Sequence, residues 1–175
     1  MFYFMKPFPE ERVDVSGWTR FIQNEWFNKN FMVFVYALQA ILLVIPFLFG
    51  WMYSNLAMRL LVGVSTFLVH EFLHILCIFK KGDISITHSG VFFWIHSNAV
   101  MTKWQFWLFM TLPFLGLTVL PLVILPFVSE GLVDFLLFVA WLNAVIAGAD
   151  ILNSILILSK PRKAKFYRGY YIVEK

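Results

Sequence analysis

Four long apolar stretches divide the chain, at residues 31–52, 56–79, 104–128 and 132–158. Each exceeds the roughly 20 residues that a helix needs to cross a bilayer. The first is apolar apart from Gln39, and Trp51 and Tyr53 at its far end are of the kind that anchor in headgroups. Arg59 and the cluster His70, Glu71 and His74 interrupt the second. Pro113, Gly116, Pro121 and Pro126 predict that the third is kinked. Asn143, Asp150, Asn153 and Ser154 are embedded in the fourth.

The pattern changes between these stretches. Residues 81–100 alternate instead of following a helical period, with Ile84 and Ile86 before Ser89-Gly90 and an apolar run to Ile95 after it, which predicts a short β-hairpin. Ahead of the first stretch, Trp18, Phe21, Ile22 and Trp26 recur at helical spacing behind Ser16, which predicts an interfacial amphipathic helix capped by that serine. There is no internal repeat and no flexible linker, so residues 1–175 read as one domain. The expected fold is an all-α membrane protein of about four transmembrane helices, with a β-hairpin between the second and third. Residues 1–30 form an interfacial segment and 159–175 a basic tail.

Composition agrees with that reading. The hydrophobic share is 61% and the charged share 14%, against about 45–50% and about 25% in soluble domains. The single cysteine, Cys77, excludes an intrachain disulfide framework. No cleavable signal peptide is legible at the start, so the first span is expected to act as the targeting signal. The placement of Lys and Arg sets the expected orientation, because basic loops stay in the cytoplasm. Four precede the first span (Lys6, Arg12, Arg20, Lys29). Arg59 lies near the turn into the second. Lys80, Lys81 and Lys103 separate the second from the third, none lies between the third and fourth, and six follow the last. Both termini are therefore expected in the cytoplasm, with the tail near anionic lipid. A nucleic-acid partner is not expected.

The candidate chemistry sits in the second span. His70-Glu71-Phe72-Leu73-His74 places two imidazoles one helical turn apart, so both reach one metal ion while Glu71 flanks it and meets a metal-bound water. Ionisable groups within a span cost about 2.5–3.5 kcal/mol each on insertion scales, so three together call for a function. The competing explanation is that both histidines hydrogen-bond to neighbouring helices and Glu71 stays protonated. A catalytic zinc has three protein ligands and an open position. Asp150 is the candidate third ligand: it lies ten residues before Lys160, as His70 lies ten before Lys80, in a span running in the same direction. Asn143, Asn153 and Ser154 share a helical face with Asp150, where they orient the carboxylate, bind substrate or bond between helices. Cys77 is a rival ligand, on the histidine face. His88 and His96 in the hairpin are read as interfacial polar residues.

These residues resemble a family of small bacterial membrane proteins classed as zincin peptidases. The likeness rests on His70-Glu71-x-x-His74, on Leu112-Pro113-Phe114 in the next span and on Ala149-Asp150-Ile151-Leu152-Asn153 in the last. More distantly, the chain is similar to the site-2 intramembrane proteases, in which a later aspartate, preceded by an asparagine, completes the site. Asn143 and Asp150 match those two positions, while Ile146 and Ile151 stand where that group has proline and glycine.

The resemblance implies a zinc metalloprotease of a bacterial cell membrane, acting on peptides or membrane proteins, with His70, His74 and Asp150 as ligands and Glu71 as general base. Two other readings are open at the level of sequence. One is a non-catalytic zinc-binding scaffold or regulatory protein, and the other a metal or proton carrier.

Overall fold

The computed structural model describes residues 2–4, 13–50, 55–89 and 92–173. Three helices are long and apolar enough to cross a bilayer, or four if one broken pair counts as a single span. Helix α1 (Glu25–Leu48) starts where Asn24 Oδ1 accepts the Phe27 amide at 2.9 Å, with Glu25 in the positive first turn. Helix α2 (Leu56–Ile78) starts in the same way on Asn55, whose side chain accepts the Met58 amide at 3.0 Å. Helix α3 (Lys103–Phe114) opens with a reciprocal capping box between Thr102 and Gln105. It continues through a π-helical turn at Leu115–Val119 into α4 (Leu120–Ile124) and a 3₁₀ turn at Leu125–Phe127. Helices α5 (Glu130–Ile146) and α6 (Gly148–Leu158) meet at a 65° bend.

Many large apolar side chains on these helices face outward, among them Ile41, Phe47, Leu60 and Leu68, each more than 60% exposed. Scattered exposed apolar residues are ordinary, but continuous apolar outer faces on helices of this length suit a hydrocarbon solvent.

Two small sheets depart from an all-α fold. One has the order β1-β3-β4, with β1 (Phe2–Phe4) parallel to β3 (Ile84–Ser89) and β3 antiparallel to β4 (Phe92–Ser97). The turn expected at Ser89-Gly90 lies partly outside the described residues, as do the expected anchors Trp51 and Tyr53. The second sheet runs β2-β7-β6-β5, all antiparallel, through β2 (Thr19–Arg20), β5 (Met101–Thr102), β6 (Ala164–Tyr167) and β7 (Tyr170–Val173).

The segment read as a basic tail is therefore a strand pair, turning at Arg168 and Gly169, both with positive φ. Its inward residues Ala164 and Phe166 pack with Phe21 and Ile157 in a buried cluster. No helix begins at Ser16, whose amide and hydroxyl both donate to Asp14. Phe21 is instead in that cluster, and Trp26 already belongs to α1. The start of α1, the end of α2, the start of α3 and the end of α6 are the helix ends that the strands join. Both sheets thus sit at one end of the bundle.

Candidate metal centre

His70 and His74 are buried on one face of α2, 3% and 5% exposed. Each is held at Nδ1 by a carbonyl-type oxygen. His74 Nδ1 donates to the main-chain oxygen of Phe109 at 2.7 Å. That oxygen is at hand because the residue four positions on is Pro113, which has no N–H to give it a helical bond. His70 Nδ1 lies 2.9 Å from Asn143 Oδ1.

The orientation of the Asn143 amide is fixed, because its nitrogen sits 3.0 Å from Pro113 O and 2.9 Å from Thr118 Oγ1, while the Thr118 hydroxyl donates to Ala140 O at 3.0 Å. A carbonyl only accepts, so the amide NH₂ faces Pro113 and the amide oxygen faces His70. His70 Nδ1 therefore carries a proton. The π-helical turn brings Thr118 into this chain, in keeping with the frequency of such bulges at functional sites.

With both Nδ1 atoms protonated, both neutral imidazoles present a bare lone pair at Nε2. These two atoms are 3.2 Å apart, and each is 3.2 Å from Asp150 Oδ2. Three electron-pair donors so close repel one another unless a cation lies among them. A tetrahedron with 3.2 Å edges has its centre about 2.0 Å from each vertex, which is the zinc–imidazole and zinc–carboxylate bond length. Donor type, spacing and tautomer all fit a zinc ion. Among the described residues, these three form the one group of His, Cys, Asp or Glu side chains with metal-ligand spacing.

Asp150 reaches this point because of the bend. Helix α5 ends with the Ala147 amide donating to Asn143 O at 2.8 Å, and α6 restarts at Gly148. Asp150 then lies in the first turn of a new helix, where the macrodipole favours a carboxylate. Gln39 of α1 stabilises the break by donating to Val145 O at 3.0 Å. Gly148 makes room for it, since a Cβ there would lie 3.0 Å from Gln39 Cγ. Sequence reasoning assigned Gln39 no role. Its signal is its solitude, as the one amide in the otherwise apolar stretch 31–52.

Glu71, half-buried, lines a cavity of about 350 Å³ together with His70, His74, Asp150, Asn153 and Gln39. The other candidates are distributed around it. Asn143 is fully buried against His70, and Ser154 Oγ pairs with Thr111 Oγ1 at 2.9 Å between α3 and α6, away from the cavity wall. Cys77 Sγ faces Leu108 O at 3.9 Å and stays outside the three-donor group. His96 Nε2 lies 3.2 Å from Thr87 Oγ1. The side chain of His88 lies outside the described residues.

Two histidines one turn apart in a His-Glu-x-x-His segment and a carboxylate from a second helix form a donor set suited to a metal ion with an open position. A family described as "Putative zincin peptidase" matches residues 63–165, and the chain belongs to that family. The match takes in α2 from Gly63 onward, α3, both helices of the broken pair and the first residues of β6. None of the curated proteins and none of the solved structures matches the chain.

Proposed function

We propose that this chain is a zinc metallopeptidase that hydrolyses peptide bonds at or within a membrane. His70, His74 and Asp150 hold the ion and Glu71 is the general base. The reading is carried by the two Nε2 lone pairs and the Asp150 oxygen, held 3.2 Å apart by partners that fix both histidine tautomers. A zinc ion at that point supplies a Lewis acid for the scissile carbonyl and lowers the pKa of water towards about 7. Glu71, on the same cavity wall, takes the proton of the attacking water and passes it to the leaving amine. Asn153 and Gln39 offer amide groups on that wall to the main chain of a substrate.

The helices cross the bilayer with both termini on the cytoplasmic side, where the basic residues collect. Water and substrate enter from the end that the two sheets cover. An extended substrate runs beside β4, the outer strand of its sheet, which keeps the peptide bond out of a helix and open to attack. The substrate is a peptide or a segment of a membrane protein.

Metal analysis of the purified chain beside His70→Ala and Asp150→Ala tests the ion, and cleavage by Glu71→Gln tests the chemistry. One zinc per chain, lost in both ligand variants, is expected, as is a Glu71→Gln protein that keeps its zinc and loses turnover at least a hundredfold. Retention of full activity by Glu71→Gln would rule the mechanism out and leave a zinc-binding scaffold.

A further inference from the structure

A second cavity of about 430 Å³ adjoins the first, and Ile95, Phe109 and Met110 line both. Phe109 is also the residue whose carbonyl holds His74. Beyond these shared residues the second cavity has one wall on β4, at His96 and Ser97, and another on the β6–β7 turn, from Tyr167 to Tyr170. Phe21, Phe106 and Phe166 close its floor and pack edge-on or tilted against one another.

A chain following β4 out of the first cavity passes directly over the second. Successive side chains of an extended chain point to opposite faces, so one residue near the cut bond turns into the aromatic cavity.

We propose that this second cavity is a specificity subsite, and that it takes a large apolar side chain of an extended peptide substrate at a fixed distance from the cut bond. The inference rests on the metallopeptidase reading for its cut bond, but on the cavity alone for its occupant. Walls of this kind gain more from a large apolar side chain than from an alanine-sized one, because more apolar surface leaves water, and Arg168 on the wall disfavours a cationic side chain. The turn that closes the subsite is set by Arg168 and Gly169, both with positive φ, so its shape belongs to the folded strand pair.

Two measurements on the full-length, zinc-loaded protein in lipid nanodiscs test this. The first follows cleavage of soluble twelve-residue peptides of Ala, Ser and Gly that carry one Phe, Leu, Ala or Lys at each position in turn. Cleavage at a constant distance from Phe or Leu, with kcat/KM at least tenfold above the alanine peptide, is expected. In His96→Trp, which fills the cavity mouth, that ratio should fall towards one with zinc content unchanged. Cleavage without side-chain preference, or a preference indifferent to His96→Trp, overturns the subsite and leaves the peptidase standing. The second uses Glu71→Gln protein and the same peptides bearing one photo-reactive benzoylphenylalanine. Label at residues 95–97 or 166–170 is expected, and label elsewhere or none overturns the inference. Label at those residues with no cleavage of any peptide by the unsubstituted protein supports the subsite and counts against the peptidase.

Discussion

Pro113 stands four residues after Phe109, and the amide hydrogen it lacks leaves the Phe109 carbonyl to His74, 2.7 Å away. The proline of the Leu-Pro-Phe segment thus acts on the His70, His74 and Asp150 group through the His74 ring. Restoring the N–H would set a helical bond in competition with the imidazole. Pro113→Ala is therefore expected to keep the fold and weaken zinc binding by about 10–100-fold, the usual effect of losing a ligand's supporting partner. Titration against a competing chelator measures this. An unchanged zinc affinity would remove Pro113 from the argument.

Asn143 makes three hydrogen bonds while fully buried, one to His70, one to Pro113 O and one to Thr118. Asn143→Ala strands the His70 Nδ1–H and the Pro113 carbonyl. Leaving one buried polar group unpaired costs about 1–3 kcal/mol. A lower melting temperature is expected together with a lost preference for zinc at His70, read by thermal scanning with and without added zinc. If zinc stabilises the variant as much as the parent, His70 does not depend on Asn143.

Lys103 is 6% exposed, and its ammonium donates to Leu158 O at 2.8 Å and also to Lys160 O. It caps the C-terminus of the helix that carries Asp150, where a cation is favoured. Hydrogen bonds from charged groups contribute about 1.5–3 kcal/mol. Lys103→Met should destabilise the protein by about that amount, measured by denaturant unfolding in detergent micelles, and Lys103→Arg should recover part of it. An unaffected Lys103→Met protein would make the contact incidental.

His96 lies at the sheet end of the molecule, where partial burial first and the charge of Arg168 second hold its pKa below the ordinary 6.5. The unfolded chain therefore binds a proton at a higher pH than the folded one. Between about 6.5 and the lowered native value, unfolding takes up protons, so stability rises with pH and is lost as pH falls through that window. The melting temperature should drop between pH 7.5 and pH 5, and His96→Gln should drop less. Identical profiles for the two proteins would show that His96 contributes nothing to the slope.

The three long apolar helices were legible because spanning length and absence of charge survive any detail of packing. The spacing of His70 and His74 places both rings on one face of a helix whatever surrounds it. The 65° bend at Ala147 was not legible, since Val145-Ile146-Ala147-Gly148 contains no proline and reads as continuous helix. What holds the bend is Gln39, more than a hundred positions away in the sequence. The strands after residue 163 did leave a trace, with Arg168-Gly169 between two runs rich in aromatic residues. The density of lysine and arginine there drew attention to charge instead. The segment from Gly17 shows the opposite failure, because helical spacing of Trp18, Phe21 and Ile22 was satisfied by packing Phe21 against β6.

The strands that follow α6 are held to its last turn by the cluster of Ile157 with Ala164 and Phe166, and to the strand before α3 by pairing of Met101 with Phe166. A shortened chain stopping at Lys160 would retain His70, His74, Asp150, every apolar helix and the Lys103 contacts, yet lose the strand pair packed on Ile157 of the helix bearing Asp150. Tags, fusions or proteolytic nicks at that end of the polypeptide are thus felt at the Asp150 carboxylate, some three helical turns away.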